Sequence, residues 1–593
     1  MWGLYSSEGV PIPPRQFTSG RTQAELLEDI IKEFDCDSKI VLLNGGVGSG
    51  KSIVGATVAG ALGRGIINVP VKPLQEQYKR DYEGRLNIRI GRDPLKIRML
   101  KGRSNFQCRK NPGQMCSYKE LVCTMPLPDS IARSAIGVKC RYWSPIYRHS
   151  VKALDEDSSL REIHRYLSID GEQRFYQRHP GCGYYEQNLG YVNADVLVYN
   201  NAKWHVDTVI GQKPRVDVEI FDEADHFLDS LNLRLNLSSR MFARLHTLTG
   251  KEVQKLRTEG NVDHGAKLEK LLDDATNSFE DFMRSKKTQY PYYFNDEPDA
   301  EKLLKTLVSF LLALGDEYSD NLRLRLEELL KYKDVAAYYT ESDKGNDKIT
   351  FFVPEPSKVL ADRLLRSSKR ILLMSATLQE EAVLRDVYGL KDYTYLEGET
   401  QIPGTIHLRL GDRYKVNYRN WQRPRFQEQY WTSLSRMIAQ AHRPTLVQVH
   451  SYKYLPPGNG YEHLPSKDDL REMAQDTEII RFKKGEIDLL FSTKTDRGTD
   501  LPGDMCRSIV IMKYPYPSLN DPMFLVMKRK LGEKAFQEYY RDIAKRDLIQ
   551  QIGRGLRSMD DWIEVWTPDA QVHRTIRNLE ADVKETGQAN LGL

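Results

Sequence analysis

The sequence predicts an α/β protein with two lobes, each built on a parallel sheet. Two observations carry this. Apolar runs of strand length recur at 39–43, 195–199, 216–221, 370–374, 445–449, 487–491 and 508–512, and they alternate with helical stretches. Two regions, 100–190 and 231–350, break the rhythm and read as insertions into the first lobe. At 593 residues the chain has room for about three or four domains.

In chain order, Leu26, Leu27, Ile30, Ile31 and Phe34 fall at helical spacing and predict an amphipathic helix over 21–34. The run Lys39–Leu43 then enters a glycine-rich loop, as a buried strand does. Residues 100–190 are basic, aromatic and Cys-rich, with few strand signals. Residues 231–350 read as mostly helical, for example over the Leu-rich stretch 300–330.

Composition narrows the class. Hydrophobic residues make up 40% of the chain and charged ones 28%. No apolar run approaches the ~20 residues that span a bilayer. Met1–Phe17 carries Glu8, Pro11, Pro13 and Pro14 and no apolar signal core, so an intracellular protein without a membrane partner is expected. Net charge is +5, but Lys79–Arg148 holds sixteen Lys/Arg against five Asp/Glu. Tyr82, Phe106, Tyr118, Tyr142, Trp143 and Tyr147 are interleaved there. Cations that neutralise phosphates and rings that stack on bases suit single-stranded nucleic acid. A solvated basic face has the same composition.

Gly45-Gly46-Val47-Gly48-Ser49-Gly50-Lys51-Ser52 fits G-x-x-x-x-G-K-[ST] between a strand and a helix. Backbone N–H groups would wrap phosphate, Lys51 would reach the β- and γ-phosphates, and the Ser52 hydroxyl would ligate Mg²⁺. The strand ending at Phe221 delivers Asp222-Glu223-Ala224-Asp225-His226 at its C-terminal end, where parallel sheets bind ligands. Asp222 is the candidate for the Mg²⁺ shell and Glu223 for polarising the attacking water.

With these motifs the chain resembles the superfamily 2 DNA helicases of the XPD/DinG type. Further matches are Arg21-Thr22-Gln23, the run Leu100–Cys108, Cys182-Gly183-Tyr184-Tyr185 followed by Ala194–Asn200, Ser375-Ala376-Thr377-Leu378, Gly498–Gly503 and Gln550–Arg557. The resemblance implies two RecA-like lobes, with an iron–sulfur insertion and an arch-like helical insertion in the first. It implies ATP, Mg²⁺ and a [4Fe-4S] cluster as cofactors. It also implies a monomeric motor moving 5′→3′ on single-stranded and forked DNA. On this reading 1–99, 191–230 and 353–385 form the first lobe, 100–190 the iron–sulfur insertion, 231–352 the arch, and 386–593 the second lobe. Gln23 would sense adenine, Gly498 and Asp500 would approach the nucleotide, and Gln550, Arg554 and Arg557 would complete the catalytic set. Arg554 and Arg557 are three apart, which on a helix is one face, and arginines there stabilise a transferring phosphoryl group. Some DinG relatives carry an added nuclease domain, and with the loop starting at Gly45 none is expected ahead of it.

The sequence departs from the family pattern in places. Ser52 replaces a threonine, Val69 and Val71 stand at backbone-contacting threonines, Arg497 stands where an acid precedes Gly498, and Asp225-His226 gives D-E-A-D-H. Asp569 lacks the arginine that commonly follows two places on, so no role is carried over to it.

Five of the seven cysteines, Cys108, Cys116, Cys123, Cys140 and Cys182, lie in one short window. Buried thiols, a zinc site or an iron–sulfur cluster would each group them. The C-x-x-C pair that zinc ribbons use is absent. The resemblance assigns the first ligand to Cys108 and the last to Cys182. Two of Cys116, Cys123 and Cys140 complete the set, with Cys140 preferred, and Cys36 and Cys506 are bystanders. Rival functions are a D-E-A-D-box RNA helicase and a nucleic-acid clamp without unwinding. The 153 positions from Asp222 to Ser375 argue against the first, and motifs spread over two lobes argue against the second.

Overall fold

In the computed structural model the chain is described over residues 2–46, 48–91, 93–118, 121, 123, 140–285, 291–314, 317–343, 346–493, 501, 503–556 and 558–587. The candidate residues Val47, Gly498, Asp500 and Arg557 lie outside the described residues.

The first sheet has seven strands in the order Thr394–Glu397, Ile40–Asn44, Ile371–Ser375, Val218–Asp222, Gly65–Val69, Val196–Asn200, Ile97–Leu100. Every neighbouring pair is parallel. Both faces are covered, which is why these strands read as unbroken apolar runs. Leu42, Ile66, Phe221 and Leu373 pack into one core. Val41, Leu43, Ile67, Ile220 and Leu372 pack into another on the opposite face.

Glu219 breaks the apolar pattern inside the strand Val218–Asp222, yet it is 2% exposed. Its carboxylate accepts from the fully buried Lys213 at 2.8 and 2.9 Å, from Trp204 Nε1 at 2.9 Å, and from Ser368. A buried charge is tolerated only when paired and hydrogen-bonded in this way. The group staples the strand that delivers Asp222.

The second sheet is also wholly parallel, in the order Leu489–Ser492, Thr445–Gln448, Ser508–Ile511, Trp562–Trp566, Ile402–Arg409, Ala581–Thr586. The strand Thr394–Glu397 belongs to the first sheet, paired with Ile40–Asn44. The crossover between lobes therefore follows Glu397 rather than 386. The short run Tyr393–Leu396 gave too weak a signal to be seen as a closing edge strand.

The two interrupting regions contain more sheet than their sequences suggest. Between Leu100 and Tyr191, the strands Glu162–Ser168 and Gly171–Gln177 form an antiparallel hairpin, joined by Ile146–Tyr147. Its tight turn is Ile169-Asp170, with Gly171 at φ 113°. The signal missed was this Asp-Gly pair. The later region carries the helices Ser239–Thr258, Val262–Ser285, Pro298–Leu314 and Glu317–Lys331. It also has a four-stranded antiparallel sheet at its root. The entering strand Arg234–Ser238 pairs with the leaving strand Asn346–Phe352. The excursion therefore begins and ends at one place on the first lobe.

Candidate functional site: a nucleotide cleft between two lobes

The strand Ile40–Asn44 ends in the glycine loop, and the helix Lys51–Ala61 begins at its far side. Gly48 and Gly50 adopt φ of 74° and 79°, the left-handed backbone that a phosphate-cradling loop requires. Gly50 has a second constraint: a Cβ there would lie 2.0 Å from Gln23 Nε2. Lys51 Nζ donates to the carbonyls of Gly45 (2.7 Å) and Gly46 (3.1 Å). The ammonium thus bridges the loop, on acceptors that phosphate oxygens can replace.

Gln23, read from sequence as an adenine sensor, is 6% exposed and engaged at both ends of its amide. Nε2 donates to Ser49 O (2.9 Å) and Oε1 accepts from Arg15 N (3.0 Å). Arg15 also donates to Gly48 O. Behind the loop, Glu399 O accepts from Gly46 N, while the Glu399 carboxylate accepts from Thr18 N and Oγ1, both at 2.8 Å. Sequence reasoning missed Arg15 and Glu399, because neither lies in a recognisable motif.

Asp222 ends its strand with its carboxylate nearly buried. Oδ2 accepts from Tyr78 OH (2.8 Å) and Oδ1 from Glu223 N (3.1 Å). Burial pushes its pKa up, against the opposing pull of Lys51 and the Tyr78 hydrogen bond. Ser52 Oγ accepts from Tyr82 OH (3.3 Å). Hard oxygen donors of this kind fit Mg²⁺, which is held through few protein ligands together with substrate phosphates. Glu223 sits at φ 55° and ψ 53°, a left-handed conformation costing a non-glycine about 1–3 kcal/mol. That turn begins the helix Ala224–Ser230 directly at the strand end.

The fully buried Asp225 gathers the remaining motifs. Its carboxylate accepts from Ser375 Oγ (2.8 Å), Thr377 Oγ1 (3.0 Å) and Gln550 Nε2 (2.9 Å), and its carbonyl from Gln379 Nε2 (3.0 Å). Ser375 Oγ also lies 3.5 Å from Glu223 Oε2. Gln550 comes from the second lobe, one helical turn after Arg546. Arg546 pairs with Asp542 (2.8 Å), with both oxygens of Asp229 (2.8 and 3.1 Å) and with Asp225 (3.5 Å). These carboxylates hold the buried guanidinium firmly charged against the cost of burial. Arg546 is the functional residue most clearly missed from sequence. Its signal was helical spacing: Asp542, Arg546 and Gln550 recur every fourth residue on one face.

The helix Pro522–Ile552 stops at Ile552, with Gly553 as its cap. Arg554 therefore lies beyond the helix, so the expectation that it sits on a helix face is corrected, while Arg557 is outside the described residues. The Ile-Gly pair ends the helix before Arg554. Arg554 is 7% exposed and lines a cavity of about 690 Å³ between the lobes. Val71, His226, Gln448, His450, Thr493, Lys513 and Gln550 line it as well. Burial and the nearby Lys513 push the His450 imidazole down to about 4, so it is neutral at neutral pH.

The basic, aromatic segment is less of a stacking surface than its composition suggested. Tyr82 packs in a first-lobe core, and Tyr142 and Trp143 pack around cysteines. Tyr118 is exposed. Cys140 and Cys182 lie in one small core with Cys123 packed against it. Arg103 Nη1 donates to the sulfurs of Cys116 (3.6 Å) and Cys123 (3.8 Å), and its guanidinium lies over the Tyr184 ring at 4.2 Å. Burial pushes the Cys116 thiol up to about 11, with Arg103 pulling the other way. Cys108 is buried and accepts from Asn111 N (3.4 Å). Among the described residues no three His, Cys, Asp or Glu side chains converge tightly enough for a single ion. Cysteine thiolates are the donors that either an iron–sulfur cluster or a zinc site uses. Cys36 is exposed and Cys506 is buried in a second-lobe core, both away from this group.

Residues 434–583 match the helicase C-terminal domain family. The chain is 25% identical to the 3′-5′ exonuclease DinG of Bacillus subtilis, over 44% of this chain and 31% of that protein. It is 23% identical to the ATP-dependent DNA helicase CHL1 of Meyerozyma guilliermondii, over 37% of this chain and 32% of that protein. The match thus spans about a third of each of these relatives' length. Among solved structures, an XPD helicase superposes with a TM-score of 0.61 at 17% identity, covering 95% of this chain and 99% of that one. S. tokodaii Xpd4 superposes at 0.54 and 15% identity, covering 95% and 99%. These likenesses show the fold. The C-terminal domain match, the helicase relatives and that fold together make the chain similar to superfamily 2 helicases of the XPD/DinG type.

Proposed function

We propose that this chain is an ATP-dependent DNA helicase that moves 5′→3′ along one strand and separates duplex. The observation that carries the reading is the buried Asp225, which joins the Asp-Glu-Ala-Asp segment and Ser375–Thr377 of the first lobe to Gln550 and Arg546 of the second. Groups that serve hydrolysis are thereby linked to the relative position of the lobes, which a motor requires and a simple nucleotide switch does not.

Within this reading Lys51 leaves the Gly45 and Gly46 carbonyls for phosphate, and Ser52 and Asp222 hold the metal shell. The magnesium ion supplies charge neutralisation on the phosphates when bound. Glu223 orients and deprotonates the attacking water, with Ser375 as the link from its carboxylate to Asp225. Arg554, at the cleft, stabilises charge on the transferred group. Gly498, Asp500 and Arg557 complete the second-lobe side. The Cys-rich region holds a [4Fe-4S] cluster on four of Cys108, Cys116, Cys123, Cys140 and Cys182 and forms the wedge, and the helical excursion forms an arch over the strand. The inter-lobe groove containing Val71, Gln448, Thr493 and Lys513 offers the strand a path beside the hydrolysis groups.

Strand displacement on 5′-tailed and 3′-tailed DNA and RNA duplexes tests this. Unwinding of 5′-tailed DNA alone is expected. Unwinding of 3′-tailed duplexes only would reverse the polarity. Equal action on RNA would favour the RNA reading, and stimulated ATPase without displacement would favour a translocating clamp.

A further inference from the structure

Two tyrosines stand on the metal-binding side chains, and nothing in the motif reading anticipated them. Tyr78 lies on the helix Lys72–Arg80, and Tyr82 follows in the π-turn Asp81–Arg85. They are four residues apart, with ring centroids 5.6 Å from one another, and both are buried. Their hydroxyls go to different metal-site residues: Tyr78 OH donates to Asp222 Oδ2 at 2.8 Å, and Tyr82 OH donates to Ser52 Oγ at 3.3 Å.

Asp222 is nearly buried at the end of its strand, and a metal ligand must be charged and aimed. A phenol donating to one carboxylate oxygen does both: it stabilises the charge and fixes the carboxylate plane. Glu223 N holds the other oxygen from the backbone. The side chain at 78 is thus the adjustable half of the Asp222 environment. Its ring is packed in the first-lobe core, so the hydroxyl has no other place to go. The helix that carries it starts immediately after Val71, which lines the inter-lobe groove.

We infer that Tyr78 is a positioning residue for the magnesium ion of the nucleotide site, acting through Asp222, with Tyr82 acting more weakly through Ser52. The inference rests on the proposed ATP site. Tyr82 is weaker because its bond is longer and joins two neutral hydroxyls.

The test is binding of a fluorescent, non-hydrolysable ATP analogue to the full chain, titrated with Mg²⁺ and repeated in EDTA. Binding by the parent that does not depend on Mg²⁺, or no binding, would sink the nucleotide-site reading itself. Given Mg²⁺-dependent binding, Tyr78→Phe should raise the Mg²⁺ half-point roughly tenfold and leave affinity in EDTA unchanged. Tyr82→Phe should raise it about twofold to threefold. In an Asp222→Asn background Tyr78→Phe should add nothing, because the acceptor charge is gone. A purely structural role would lower EDTA and Mg²⁺ affinities together and would persist in that background. Either result overturns the inference, as does an unchanged half-point in Tyr78→Phe. Should Tyr78→Phe fold poorly, Tyr82→Phe carries the test by the same comparison, with an unchanged Mg²⁺ half-point overturning the inference.

Discussion

Arg546 pairs with three carboxylates, Asp225, Asp229 and Asp542, at the junction of the lobes. Arg546→Met keeps much of the side-chain volume and removes the charge. Asp225 and Asp542 are essentially buried, and Asp229 is partly open. Removing one partner of a buried ion pair leaves uncompensated charge and costs about 3–5 kcal/mol. The cost falls mainly on the closed arrangement of the lobes, since Asp225 and Asp229 regain water if the second lobe withdraws. Asp542 shares a helix with Arg546 and is exposed by the same movement. If 3 kcal/mol of this acts on closure, turnover drops by about a hundredfold, at ~1.4 kcal/mol per tenfold. Among the described residues, the glycine loop, Lys51 and Gln23 share no hydrogen bond or ion pair with Arg546, so nucleotide affinity should stay within about threefold. The assay is DNA-stimulated ATPase at saturating ATP, beside nucleotide binding and thermal unfolding. Turnover within threefold of the parent, in a protein that melts normally, would refute the argument that this pairing couples the lobes. Asp225→Asn should give a similar loss, because Ser375, Thr377 and Gln550 all converge on its carboxylate.

Further outcomes follow from the geometry. Lys51→Ala should lose nucleotide binding as well as turnover, whereas Glu223→Gln should bind ATP and hydrolyse it at less than about a hundredth of the parent rate; parent-like hydrolysis by Glu223→Gln would remove it as the base. Gly50→Ala should abolish nucleotide binding, because the new Cβ meets Gln23 Nε2 and the φ of 79° disfavours it; a Gly50→Ala, Gln23→Ala double variant should recover only part, since the backbone strain remains. Anaerobically purified protein should contain about four irons, lost in Cys182→Ser and Cys140→Ser but retained in Cys36→Ser and Cys506→Ser, as read by iron analysis and visible absorption; stoichiometric zinc without iron would overturn the cluster.

Much of this protein was legible in its sequence because its sheets are parallel and buried on both faces. Such strands must be apolar throughout, so Ile40–Asn44, Val218–Asp222 and Ile371–Ser375 announce themselves within a residue or two. The phosphate loop was equally legible, since glycine adopts the left-handed backbone of Gly48 and Gly50 at no steric cost. Features that depend on which segments meet were not. Glu219 looks misplaced in its strand until Lys213, Trp204 and Ser368 surround it. Tyr82, Tyr142 and Trp143 carry the same rings whether they stack on bases or fill a core, and folding committed them to cores. The end of the second-lobe helix at Ile552 separated Arg554 from the face that spacing had given it. The linkage of the site depends on contacts between residues 150 to 325 positions apart, at Asp225 and Ser375 and at Asp225 and Gln550. A one-dimensional pattern carries helical and strand periods, which are local. Only the tertiary structure could bring an aspartate of the first lobe under an arginine and a glutamine of the second.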